Sequence, residues 1–233
     1  MLLAIDTATL VSAVALVDGN QVLAEVLTNN KKTHSELLMP HIEQLFAMTQ
    51  AQRIDVTAVA VSIGPGSFTG LRIGLATAKA LAYVWQVPLV GVPTLAAQAY
   101  GCAVPGCLLC PLLDAQKGNV YQALYRWQDE ELLEIMAPRV AQHVTALEEL
   151  AAGEDRVIML GEGSLMYQDA IRSRGQVLHT APPHLVISRA ASVALLGSRL
   201  LNKGLSHDPM VLEPLYIRRS EAEVLWERRQ ERG

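Results

Sequence analysis

The stretch that most constrains the fold is residues 58–85, centred on Gly64-Pro65-Gly66-Ser67-Phe68-Thr69-Gly70-Leu71-Arg72-Ile73-Gly74. Upstream, Ala58 to Ile63 puts Val59, Val61 and Ile63 on one face of a strand and Ala58, Ala60 and Ser62 on the other, as a sheet covered on both sides requires. Downstream, Leu71 to Trp85 is rich in Leu and Ala and meets no proline before Pro88, which predicts a largely buried helix capped by Ser67 or Thr69. Gly64 and Gly66 supply backbone angles that other residues resist, and Pro65 stiffens the turn between them.

A strand, a tight turn and a helix N-terminus leave free N–H groups that suit an anion such as phosphate. Neither GxGxxG nor GxxxxGK[ST] is present, so a plain strand-to-helix turn is the preferred reading. Gly70, Gly74, Ala78 and Ala82 recur four apart along the helix, a ridge of small residues that admits another backbone. That neighbour is either the chain's own sheet or another subunit.

Charged residues make up 18% of the 233 positions and hydrophobic ones 51%, a surface short of charge that favours a partnered protein. The net charge of -4 argues against an unaided grip on phosphate backbones, so any role with nucleic acid is indirect. Met1 to Ile5 lacks a basic leader and meets Asp6 at once, so it reads as a first strand and the chain as cytoplasmic. Ala80 to Leu113 has no charged residue, but Pro88, Pro93, Pro105 and Pro111 divide it too finely for a membrane span. Cys102, Cys107 and Cys110 have no fourth ligand nearby and read as free thiols.

Taken in order, Leu2 to Asp6 is a strand, and Asp18-Gly19 between Ser12–Val17 and Gln21–Leu27 marks a hairpin. Asp6, with Thr7 and Thr9 in the turn after it, reads as turn chemistry before magnesium chemistry. Thr33 and Glu36 form a capping box for a helix to about Met48, with Leu38, Ile42 and Leu45 inward, Pro40 as a kink, and His34 and His41 at the surface or an interface. Val87–Val92 is a short strand, and a helix follows from Thr94 to about Tyr100. The Pro/Gly turn from Gly101 to Gly106 divides a first lobe, residues 1–102, from a second, residues 103–217. Leu108–Leu113, Asp114, a turn and a strand from Asn119 then repeat the opening pattern, as a duplicated fold would. Helices are expected at Thr145–Ala152 and Ser188–Asn202, a strand at Val157–Leu160, an extended linker at Pro182-Pro183-His184 and a charged tail at residues 218–233.

The Asp6-Thr7-Ala8-Thr9 opening, His34-Ser35 before Leu38-Met39-Pro40, the central glycine motif, Asp114-Ala115 with Gly118 and Val120-Tyr121, and Glu213-Pro214 with Tyr216 and Arg218 together resemble the bacterial TsaB family, also called YeaZ. The resemblance covers essentially the whole chain. It implies an α/β, actin-like and Hsp70-like sugar-kinase (ASKHA) fold of two lobes, each with a mixed sheet flanked by helices. It also implies a non-catalytic subunit of the machine that makes N6-threonylcarbamoyladenosine on tRNA, beside a TsaD-like catalytic subunit and a TsaE-like ATPase. Such proteins pair through their first two long helices, as homodimers when alone. The matching positions are His34, Leu38, His41, Gly70, Ile73, Gly74, Thr77, Ala78 and Leu81, which would make the glycine ridge an interface whose Gly74→Leu variant still folds.

TsaD-like enzymes hold a metal with two histidines four apart on a helix, whereas this chain offers His34 and Leu38, so no metal and no catalytic residue is expected. No cofactor is required. ATP or ADP with magnesium at the junction of the complex would meet Asp6, Thr7, Gly64, Gly66 and Ser67. Gln116 stands where an arginine is common in relatives, which weakens any anion contact there. The competing readings are a small ATP-dependent kinase of the same fold, using Asp6 for magnesium, and a peptidase-like or muralytic factor.

Overall fold

The computed structural model describes residues 1–29, 34–175 and 177–218. β1 (Leu2–Asp6), β2 (Val11–Asp18) and β3 (Gln21–Asn29) form an antiparallel meander whose β2–β3 hairpin turns at Gly19-Asn20, between the paired Asp18 and Gln21. Helix α1 (His34–Thr49) leads to β4 (Ala58–Gly64), then α2 (Phe68–Trp85) and β5 (Leu89–Pro93). The sheet runs β3-β2-β1-β4-β5, with β4 parallel to β1 and β5 parallel to β4.

After α3 (Thr94–Tyr100), the pattern begins again with β6 (Leu108–Asp114), β7 (Asn119–Gln128) and β8 (Glu131–Gln142). Then come α4 (His143–Ala151), β9 (Val157–Leu160), α5 (Glu162–Met166), α6 (Gln168–Arg172), β10 (Leu178–Thr180), α7 (Pro183–Val186) and α8 (Ala190–Asn202). The second sheet runs β10-β9-β6-β7-β8. Each sheet therefore has its first strand at the centre, an antiparallel meander on one side and two parallel strands on the other. This doubled topology is the ASKHA fold, and it explains why strand, Asp, turn and strand occur twice.

Alternation on β1 and β4 builds two cores from one sheet. Leu3, Ile5, Val59 and Val61 pack with Leu38, Leu45, Leu75 and Ala78 beneath α1 and α2. Leu2, Ala4, Ala58 and Ala60 pack with Val90, Val92, Val193 and Ala194 beneath α8. Helix α8 thus belongs to the first lobe, although its position in sequence placed it in the second. The small side chains explain the fit: a Cβ at Gly197 would lie 2.8 Å from the Cβ of Ala60, so the helix sits almost on the sheet.

Leu38, Ile42 and Leu45 point inward from α1 as expected, but His41 joins them at 5% exposure and is not a surface histidine. Thr33 of the capping box and the tail beyond Arg218 lie outside the described residues. Pro182-Pro183-His184 is not an extended linker throughout, because Pro183 starts the one-turn α7, where its missing N–H has no partner to lose. All three cysteines are free thiols. No described helix is long and apolar enough to cross a membrane.

Candidate functional site: an outer helix face and an interlobe cleft

Helix α2 begins where the sequence placed it, with the Ser67 hydroxyl accepting from Gly70 N–H at 3.2 Å. Its small-residue ridge faces inward. A Cβ at Gly70 would meet the Thr7 carbonyl oxygen at 2.0 Å, and one at Gly74 would meet Thr7 Oγ1 at 2.2 Å. Thr7 in turn donates its hydroxyl to the Gly70 carbonyl at 2.8 Å. The ridge is the seat of α2 on its own sheet.

Gly70, Gly74, Ala78, Leu38 and His41, expected at a partner interface, are instead buried within the first lobe and offer little surface of their own. Burial also lowers the pKa of His41, whose Nδ1 lies 3.4 Å from the Ser12 hydroxyl. Ile73 and Leu81 are half-buried against the same core, and half-buried Thr77 bonds back to the Ile73 carbonyl at 2.9 Å. The half-buried His34 places Nε2 2.9 Å from the Thr9 carbonyl, and its buried Nδ1 has no protein partner among the described residues.

The outward face of α2 is made by Ala76 and Ala80 with Tyr83 and Val84, the last two 60% and 64% exposed. On α1, Met39 and Met48 are exposed. The edge of Phe46 against Trp85, centroids 6.2 Å apart, joins the C-terminal ends of the two helices. The spacing signal was present in the sequence, because Ala76, Ala80 and Val84 also recur four apart. Both cations of α2 turn away toward the chain's last segment, Lys79 to the Met210 and Leu212 carbonyls and Arg72 to the Tyr216 hydroxyl.

Between the lobes lies a cavity of about 670 Å³ with Gly66, Ser67 and Thr69 on one wall and Asp114, Glu162 and Arg218 on the other. Asp6, Thr7 and Gly64 are behind the first wall. Asp6 is 2% exposed and accepts from Ala8 N–H at 3.0 Å. Burial pushes its pKa up, opposed by the Ala8 amide and the nearby Ser62 and Ser188 hydroxyls. A Cβ at Gly64 would lie 2.8 Å from the Leu215 carbonyl oxygen, and one at Gly66 2.2 Å from that of Ala8. These glycines admit neighbouring backbone.

Asp114 is partly exposed and accepts from Gln116 N–H at 2.8 Å. Glu162 has its pKa raised by burial and by the Asp114 charge. No cluster of three or more His, Cys, Asp or Glu stands ready for a metal among the described residues. With Asp6 sealed, the first wall does not fit a magnesium-bound nucleotide held by that carboxylate.

The family model for TsaD, tRNA N6-adenosine threonylcarbamoyltransferase, matches residues 21–226. The chain is 31% identical over 229 residues to the tRNA threonylcarbamoyladenosine biosynthesis protein TsaB of Bacillus subtilis (strain 168), covering 97% of each. It is 27% identical over 235 residues to the TsaB protein of Escherichia coli (strain K12), again covering 97% of each. Among solved structures, YeaZ from Pseudomonas aeruginosa superposes with a TM-score of 0.77 at 24% identity, covering 92% of this chain and 98% of that one, and shares its fold. With near full-length matches in sequence and the doubled sheet in structure, the chain belongs to the TsaB (YeaZ) family of tRNA threonylcarbamoyladenosine biosynthesis proteins.

Proposed function

We propose that this chain is a non-catalytic, cytoplasmic subunit of the complex that forms N6-threonylcarbamoyladenosine on tRNA. It docks a TsaD-like catalytic subunit through the outer face of α1 and α2, works beside a TsaE-like ATPase, and pairs with a second copy when alone. Contact with tRNA passes through the complex. ATP or ADP with magnesium belongs at the junction with the partners, and the chain needs no cofactor of its own.

The observation that carries this reading is the outward face of α2. Ala76 and Ala80 are small enough for a facing helix to approach closely, and Tyr83 and Val84 add exposed apolar surface beside them. The sealed position of Asp6 also favours the scaffold over a kinase of the same fold, which would need that carboxylate in contact with its metal.

The test is tRNA threonylcarbamoylation in a mixture of the TsaD-like and TsaE-like proteins with a source of threonylcarbamoyl-adenylate, with and without this chain. Modification that depends on the chain, with none by the chain alone, is the expected result. Equal modification without it would reject the role. In the same assay, Ala80→Glu is expected to leave the melting temperature unchanged while weakening co-purification with the TsaD-like subunit at least tenfold, since it sets a charge in the contact.

A further inference from the structure

The segment after α8 runs along the first lobe and ends against the second. His207 extends the edge of the first sheet, its N–H donating to the Leu89 carbonyl at 2.7 Å and its Nδ1 accepting from Gly91 N–H at 3.2 Å. Leu212 is buried in the core beneath α2. Leu215 donates its N–H to the Ile63 carbonyl at 2.7 Å, at the end of β4.

Tyr216 stacks on Phe68 in the first turn of α2, centroids 4.8 Å apart at 18°, and its hydroxyl accepts from Arg72 Nε at 3.0 Å. The next residue, Ile217, packs on the second lobe's core. Arg218 donates to the Ala115 carbonyl in the turn after β6, on the far wall of the cleft. Three consecutive side chains thus hold the start of α2, the second core and the second lobe's cleft turn.

We propose that Tyr216-Ile217-Arg218 is an interlobe latch that sets the opening of the cleft and couples its two walls. A trans peptide spans only about 3.8 Å between Cα atoms, so the tripeptide has almost no slack. Widening the cleft must pull Tyr216 off Phe68 or Arg218 off Ala115, and loss of either contact frees the other wall to move. Anything that displaces Arg218 from within the cleft would therefore loosen the first turn of α2, the helix whose outer face is offered to a partner. The latch itself does not depend on that partner reading, because it is defined within one chain.

Amide hydrogen exchange on the full chain tests the coupling. In Arg218→Ala, the Gly70 and Leu71 amides of the first lobe should exchange at least tenfold faster. In Tyr216→Ala, the Gln116 and Asn119 amides of the second lobe should do the same. The central strands β1 and β6 should keep their protection in both variants, which separates release of the latch from unfolding. Tyr216→Phe keeps the stack and loses the Arg72 bond, so it should raise exchange at Gln116 and Asn119 by only about twofold. If each substitution speeds exchange only in the lobe that its side chain touches, or in neither, the contacts are independent and the latch is rejected.

Discussion

Both lobes close their first strand with the same small device, and both turns border the cleft, yet only one of the two carboxylates reaches it. Asp6 accepts from the amide two residues on, Ala8, and Asp114 accepts from the amide two residues on, Gln116. Asp6 is sealed at 2% exposure, whereas Asp114 stands on the cavity wall. The difference follows from what comes after the parallel strand. β4 is followed by the 18-residue α2, which lies on the Thr7 turn through Gly70 and Gly74. β9 is followed by two helices of five residues each, α5 and α6, and the glycines at 161 and 163 bring α5 against the backbone of Leu112 instead. One topology thus yields a covered carboxylate and an open one, and the helix seated on the Thr7 turn is part of the cover.

The largest break in that comparison is Gly74→Leu. Its first added carbon would already lie 2.2 Å from Thr7 Oγ1. Overpacking of this kind, with the Thr7 to Gly70 bond disrupted, should lower unfolding stability by roughly 3 kcal/mol in a urea titration. This reverses the expectation that such a variant folds normally. A matched change in the open turn should do less. Gly118 has φ +77, and a Cβ added there would come no closer than 3.8 Å to any neighbouring atom. Gly118→Ala therefore meets backbone strain alone, about 1 kcal/mol in the same titration.

A third way to sharpen the comparison concerns protons. Asp6 has a folded pKa raised above the reference value of 3.8, so the folded state holds its proton to higher pH than the unfolded state does. The resulting contribution to stability is fully present below the unfolded pKa and is lost as pH rises through the folded one. Asp6→Asn should remove that part of the decline in a pH series of urea titrations, while its side-chain oxygen still accepts from Ala8. An unchanged profile would show that burial of Asp6 does not govern its titration.

Much of the first lobe was legible because its chemistry is local. The alternation of Ala58 to Ile63, the turn that follows Asp18 and the Ser67 cap each specify their own geometry within a few residues. What the sequence could not show was which surface lies against a given face. Four-residue spacing says that Gly70, Gly74 and Ala78 share a side of α2, but the sheet beneath them and the solvent beyond Ala76 and Ala80 are both long-range facts. The same gap hid His41 in the core. In the second lobe β8 went unread because Glu131-Leu132-Leu133-Glu134 does not alternate, and α5 and α6 are too short to show a helical period. The cleft was the least legible part, since its far wall joins Asp114, Glu162 and Arg218 from distant points of the chain.

The position of α8 also bears on how the chain is made. A ribosome releases β1, β4 and β5 long before residues 190–202, so the sheet face carrying Leu2, Ala4, Val90 and Val92 emerges without the helix that will cover it. The second lobe, by contrast, has its own sheet and helices α4 to α7 in unbroken order. The first half of the chain is therefore still uncovered after the second lobe's sheet has emerged, and until α8 arrives its bare sheet face is a surface in need of protection from aggregation.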